Sequence, residues 1–266
     1  MPAVARNDKV RAAAVAGAFY PGEPQRLRSQ VDKLMAAVPE YRGPAPKAVI
    51  APHAGYIYSG VVAAHAFATL REGAPDIARV VVIGPAHYVP VDGIAIPRAD
   101  AFETPLGRVS VDREALATVG ELPGVIAADA PHAPEHALEV ELPFLQTVLG
   151  AFSLVPLLVG DATPDAVAQA LDPLWDGALI VVSSDLSHYL DYEAAMRRDA
   201  MTAAAIERHD WAALGPGDAC GFLAVAGLLK HAERRGLKAR RLALCNSGDT
   251  AGPRDRVVGY GAWAFA

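Results

Sequence analysis

Cysteine is nearly absent from this chain: two residues in 266, Cys220 and Cys245. Two cysteines cannot build a disulfide framework, so burial alone must hold the core, and a reducing cytoplasm is the expected compartment. Long hydrophobic runs are missing as well. No apolar stretch approaches the roughly 18 residues of a membrane span, so no membrane association is expected. The first 20 residues carry early charges (Arg6, Asp8, Lys9, Arg11) and no continuous apolar region, so no signal peptide is expected either. Basic charge is in short supply: 24 Lys+Arg against 30 Asp+Glu leave a formal charge of −6, which speaks against a general nucleic-acid binder with its basic footprint. There are no internal repeats and no low-complexity linkers. The densest cluster of chain breakers, residues 39–46 (PEYRGPAP), reads as a connector leading into a first strand and not as a domain boundary.

What the chain does have is apolar material: 52% hydrophobic and 20% charged residues exclude intrinsic disorder. Its length suits one domain spanning 1–266, able to bury roughly 70–75% of the surface its unfolded form exposes. Short β-branched runs at 48–51 (AVIA), 80–83 (VVVI), 154–159 (LVPLLV) and 179–182 (LIVV) are bounded by Gly, Pro, Ser or Asp, as strands buried on both faces should be. Pro156 within the third run predicts a bulge or an edge position. Between them, residues 24–37, 59–70, 138–149, 165–171, 192–207 and 221–235 carry helical patterning, and residues 240–245 and 257–265 read as closing strands. Ser59 is a candidate cap for the helix that follows it. This alternation predicts a layered α/β domain with a mostly parallel or mixed sheet. In such sheets ligands bind beyond the carboxyl ends of the strands.

Three of the four runs deliver a histidine there. Pro52-His53-Ala54-Gly55-Tyr56 follows the first, Gly84-Pro85-Ala86-His87-Tyr88 the second, and Ser183-Ser184-Asp185-Leu186-Ser187-His188-Tyr189 the last. A fourth, His136, stands at a helix start in Pro134-Glu135-His136-Ala137-Leu138-Glu139. A single histidine after a strand is usually a polar loop residue. Three at equivalent exits point to a shared site, and neutral imidazole suits Fe, Zn, Cu or Ni. His65 lies within an apolar helix and reads as structural, while His132, His209 and His231 fall in polar or helical surface contexts. Ser183-Ser184-Asp185 invites a hydrolase reading, but the Gly-x-Ser-x-Gly elbow is absent. Asp185 suits a different role, orienting His188 as an acid/base. Residues 245–252 (CNSGDTAG) form an ordinary Asp/Gly turn on sequence alone; in a functional reading Asp249 adds a carboxylate to two histidines.

The motifs Ala51-Pro52-His53-Ala54-Gly55-Tyr56, Gly84-Pro85-Ala86-His87, Glu135-His136-Ala137-Leu138-Glu139-Val140-Glu141-Leu142-Pro143-Phe144, Ser183-Ser184-Asp185-Leu186-Ser187-His188 and Cys220-Gly221 stand in an order that resembles the Memo family, whose prokaryotic members are called AmmeMemoRadiSam system protein B. Ala16-Gly17-Ala18-Phe19-Tyr20-Pro21 resembles the family's start, and Asn246-Ser247-Gly248-Asp249 with Val258-Gly259-Tyr260 its end. The resemblance implies a three-layer α/β/α domain like the LigB-type class III extradiol dioxygenases, which bind Fe(II) and open catechol-like rings with O₂. It implies His53 and His87 as metal ligands and His188 as the acid/base. A cysteine ligand of the vertebrate member aligns with Thr250, so Asp249 becomes the candidate third ligand. His136, Glu139, Tyr56 and Tyr88 are the expected lining of the substrate pocket. The expected cofactor is a divalent metal, Fe(II) first, with copper or zinc as alternatives. The expected activity is an O₂-dependent, dioxygenase-like oxidation of a small, aromatic substrate. Its rivals are a binding module taking a peptide or an anionic or aromatic ligand in the same pocket, and a metal-assisted hydrolase. Family association adds AMMECR-like and radical-SAM proteins as expected partners.

Overall fold

The apolar runs assemble side by side. In the computed structural model, which describes residues 9–71 and 77–266, the strands β2 (Ala48–Ala51), β3 (Arg79–Pro85), β8 (Ser153–Val159) and β9 (Leu179–Ser183) form the parallel centre of a nine-stranded mixed sheet in the order β2-β9-β3-β8. Nearly every residue in these strands is buried, which is why they lack the alternation of a half-exposed strand. Beyond β8 lie β4 (Ile94–Ile96), antiparallel to it, and β7 (Val125–Ala127). Beyond β2 lie β12 (Val257–Phe265), with β11 (Ala239–Asn246) and the short β10 (His188–Leu190) paired to it. A separate three-stranded sheet joins β1 (Val10–Arg11), β5 (Ala101–Thr104) and β6 (Gly107–Ser110).

Helices cover both faces. α1 (Pro24–Ala36), α2 (Tyr56–Ala68) and α4 (Leu142–Val148) pack together, and α5 (Pro164–Leu171) pairs with α7 (Phe222–Arg234) against β3 and β9. α6 (Tyr192–Glu207) packs on β11 and β12, and α3 (Arg113–Gly120) on β7 and β8. The helix starts are written locally: Glu23, Asp112, Thr163 and Asp191 each accept hydrogen bonds from first-turn N–H groups. In α1 the buried residues Leu27, Val31 and Met35 lie on one stripe. These layers are the α/β arrangement that the strand–helix alternation predicts, in the α/β/α order that the resemblance implies. Among the described residues no helix is long and apolar enough to cross a membrane.

Three local expectations are corrected. α2 begins at Tyr56, with Gly55 as its cap residue; Ser59 lies inside the helix and donates to the Ala54 carbonyl. Pro156 is in an interior strand without a bulge, yet its side of β8 is locally an edge. β4 reaches only Leu158 and Val159. The Leu154 carbonyl faces that same side, where it accepts from Asp112 N–H, and with a period of two Pro156 points its donor-less nitrogen into the gap beyond β4's reach. His132 and His231 are buried, not surface residues: His132 Nε2 bonds the Ala95 carbonyl, and the His231 ring packs at a tilt against Trp175.

Candidate metal centre

The carboxyl ends of β2, β3 and β9 lie next to one another, so the segments that follow them converge. His53 comes two residues after β2 and His87 two after β3. His136 arrives from a different direction, on the loop before a single 3-10 turn (Glu139–Glu141) that leads into α4. The three rings meet: centroid separations are 5.2 Å for His53–His87, 5.3 Å for His53–His136 and 4.7 Å for His87–His136. One ring nitrogen from each lies within 4.8 Å of the others.

Hydrogen bonds behind the rings fix their orientation. His53 Nδ1 lies 2.7 Å from Ser183 Oγ, and His87 Nδ1 lies 2.9 Å from Glu135 Oε1. With Nδ1–H donating to these oxygens, Nε2 of each ring is the nitrogen left to face a ligand. Glu135 also accepts from the N–H groups of His87, His136 and Ala137. Burial pushes the Glu135 carboxyl up, but the bonds from the His87 ring, Ala137 N–H and His87 N–H outweigh it and hold the group below the ordinary range, hence ionised. The buried His136 Nδ1 lies 3.2 Å from Glu135 Oε1 but outside hydrogen-bond geometry, and among the described residues neither ring nitrogen makes a hydrogen bond.

Burial lowers the pKa of His53 far below the usual imidazole value, and the neighbouring rings of His136, His87 and His188 lower it further. Burial likewise drops His136 to about 4, against the opposing pull of Glu135. Both are therefore unprotonated near pH 7 and offer lone pairs to a Lewis acid. Three converging imidazole nitrogens, two of the rings oriented from behind, fit a divalent transition metal.

The cluster forms part of the wall of a cavity of about 770 Å³. His188 lines the same cavity but stands outside the cluster. Its Nδ1 bonds the Leu186 carbonyl at 2.8 Å, leaving Nε2 as the other ring nitrogen. Desolvation, opposed by that carbonyl, lowers its pKa. The expected Asp185–His188 pair does not form. Asp185 Oδ1 instead accepts from His53 N–H at 2.8 Å, and burial, opposed by the N–H groups of His53 and Ala54, raises the Asp185 carboxyl to about 7.

The structure also keeps Asp249 away from the imidazoles. Its carboxylate accepts from Asn246 N–H and from the Tyr192 hydroxyl in a capping turn, and Thr250 Oγ1 donates to the Ser247 carbonyl. Of the four expected lining residues, Tyr88 lines the cavity, and His136 does so as a member of the cluster. Tyr56 is buried with its hydroxyl donating to the Val140 carbonyl. Glu139 is fully buried against Arg11, the Tyr20 hydroxyl and the N–H groups of Ala14 and Val15. Neither is among the cavity-lining residues. Sequence reasoning passed over Cys220 as a neighbour of the cluster, though its Sγ lies 3.3 Å from His53 Nε2. Burial, then the Asp185 charge, pushes its thiol up to about 12, so without a metal the thiol is protonated and its S–H faces His53 Nε2. The Cys220-Gly221 pair before α7 was the available signal.

A sequence model described as Memo-like protein matches residues 11–264. The chain belongs to the Memo family. A MEMO1 family protein of Sulfolobus acidocaldarius is 34% identical over 278 residues, covering 94% of this chain and 97% of its own length. One of Aeropyrum pernix is 37% identical over 279 residues, covering 96% and 99%. A crystal structure of an uncharacterised protein from Escherichia coli K12 shares the fold of this Memo chain, with a TM-score of 0.53 and 13% identity, covering 82% of this chain and 99% of that one.

Proposed function

We propose that this Memo protein holds one divalent metal ion, Fe(II), on His53, His87 and His136, and uses it in an O₂-dependent oxidation of a small aromatic substrate. The observation that carries the reading is the meeting of three imidazoles, two oriented by Ser183 and Glu135, in the wall of a cavity large enough for such a molecule. Three imidazoles would hold the ion without adding ligand charge, the donor set of a catalytic rather than a closed structural site. Bound Fe(II) supplies Lewis acidity and redox chemistry.

The chain's own residues supply the rest. His188, unprotonated at neutral pH, takes a proton at Nε2 from a substrate hydroxyl in the cavity and returns it later; such general acid–base assistance is worth about 10²–10⁴-fold. Tyr88 and Phe19 offer flat apolar surface to a ring. Asp185 holds the His53 backbone and so the position of that ligand. Two unpaired cysteines suit a reducing cytoplasm.

Metal analysis after anaerobic Fe(II) loading tests the site, with His53→Ala, His87→Ala and His136→Ala beside wild type. Wild type is expected to retain about one iron per chain, and each variant to lose most of it. Equal iron in all four proteins would remove the reading. Oxygen consumption with catechol-like probes separates turnover from simple binding.

A further inference from the structure

The turn joining β11 to β12 sends two arginines to different places. Arg254 stacks on Tyr192, its guanidinium carbon 4.4 Å from the ring centroid, and donates to the Gly248 carbonyl; it does not line the cavity. Arg256 does line it, and its guanidinium carbon lies 4.3 Å over the Tyr189 ring, which is itself 62% exposed. Among the described lining residues Arg256 is the single Lys or Arg, and among the described residues it forms no ion pair and no side-chain hydrogen bond. The one acidic lining residue, Asp185, directs an oxygen at the N–H of His53 and makes no ion pair with Arg256 among the described residues. A guanidinium stacked on an aromatic face keeps its N–H fork free in the plane, a geometry matched to a carboxylate.

We propose that Arg256 sets the substrate specificity of this cavity by anchoring the carboxylate of a small planar organic acid, whose other end faces the imidazoles of His53, His87 and His136. This rests on the metal-site reading above and adds to it a class of substrate. One cation matches one negative charge. The flat walls match a ring: Tyr88, 53% exposed, and Tyr189, under the Arg256 guanidinium, both line the cavity. A cavity of about 770 Å³ lies within the usual range for such ligands.

Calorimetric titration with benzoate and with its neutral analogue benzamide tests this, on protein loaded anaerobically with Fe(II) and on the same protein stripped with chelator. Benzoate is expected to bind about tenfold or more tightly than benzamide in both forms, the usual worth of a charge-assisted bond. Arg256→Gln should abolish that preference in both forms without changing iron content, while Arg254→Gln should keep it. Equal affinities in wild type, failure of benzoate to bind either form, or a preference that survives in Arg256→Gln would overturn the assignment. The last result would mean that the carboxylate goes elsewhere. A protein that takes up no iron sinks the metal reading instead, and the stripped arm still decides the role of Arg256.

Discussion

Ser183 Oγ carries one proton and has three polar neighbours: His53 Nδ1 at 2.7 Å, the Ala137 carbonyl at 2.6 Å and Glu141 Oε1 at 2.8 Å. Its proton can serve only one acceptor. The count closes if Ser183 donates to Ala137 while His53 and a protonated Glu141 donate to Ser183. Burial, which pushes the fully buried Glu141 carboxyl well above the ordinary range, agrees with that proton. A raised carboxyl pKa has a definite linkage sign: its contribution is most favourable below the unfolded value near 4.5 and is lost as pH rises toward the folded value. Glu141→Gln, which keeps the shape and removes the titration, is therefore expected to gain stability over wild type as pH rises from 4 to 8. Parallel thermal melts check this; a difference independent of pH, or one growing toward acid, would contradict it. At this scale the sequence singled out His53, His87 and His188, because each follows a buried strand; the first two meet in the cluster and His188 stands outside it. It misassigned Asp185, since proximity to His188 in sequence suggested a pair, whereas the fold gives that carboxylate a backbone partner across the sheet. It also placed His136 in the lining, because no apolar run precedes it to mark its convergence with the other two.

Among elements, the four central strands and six of the seven helices were legible because each carries its own pattern. β4, β7 and α3 were not: they are short, and their neighbours decide them. The small sheet is the clearest case, since β1 has only two residues and pairs with β5 some ninety positions away, a partnership no local pattern encodes. Contacts between elements also set constraints that composition hides. Gly227 sits midway along α7 where α5 crosses it, and a Cβ there would come within 2.2 Å of Val167 Cγ1 and 3.2 Å of the Pro164 carbonyl. Alanine is the better helix former by about 1 kcal/mol, but overpacking a close crossing typically costs about 1–3 kcal/mol. Gly227→Ala is thus expected to destabilise the protein by about 1–2 kcal/mol while leaving iron uptake unchanged, since α7's crossing with α5 does not touch the imidazoles. Chemical denaturation against wild type decides it, with equal or greater stability as the contrary result.

For the whole molecule, the question is what holds the cavity wall in place. Phe19 lines the cavity, 4.7 Å from the His136 ring, and it belongs to an N-terminal stretch with little regular structure of its own. That stretch is fastened by Glu139, which receives the buried Arg11, Val15 N–H and Tyr20 hydroxyl and the part-buried N–H of Ala14. Arg11 in turn donates to the carbonyls of His132 and Glu135, residues on the loop that delivers His136. Glu139 was expected to line the pocket; it acts at a distance, tying one wall of the cavity to the loop that carries a ligand. A buried pair adds little net stability over an apolar pair of equal size, but removing one partner strands the other charge at a cost of about 3–5 kcal/mol. Arg11→Met should therefore cost stability on that order and release residues 10–22 to limited proteolysis ahead of global unfolding. The same variant, assayed below its melting temperature, should weaken benzoate binding through the loss of the Phe19 wall. A segment as protease-resistant as wild type would show that the core, and not the Arg11–Glu139 pair, holds the cavity shut.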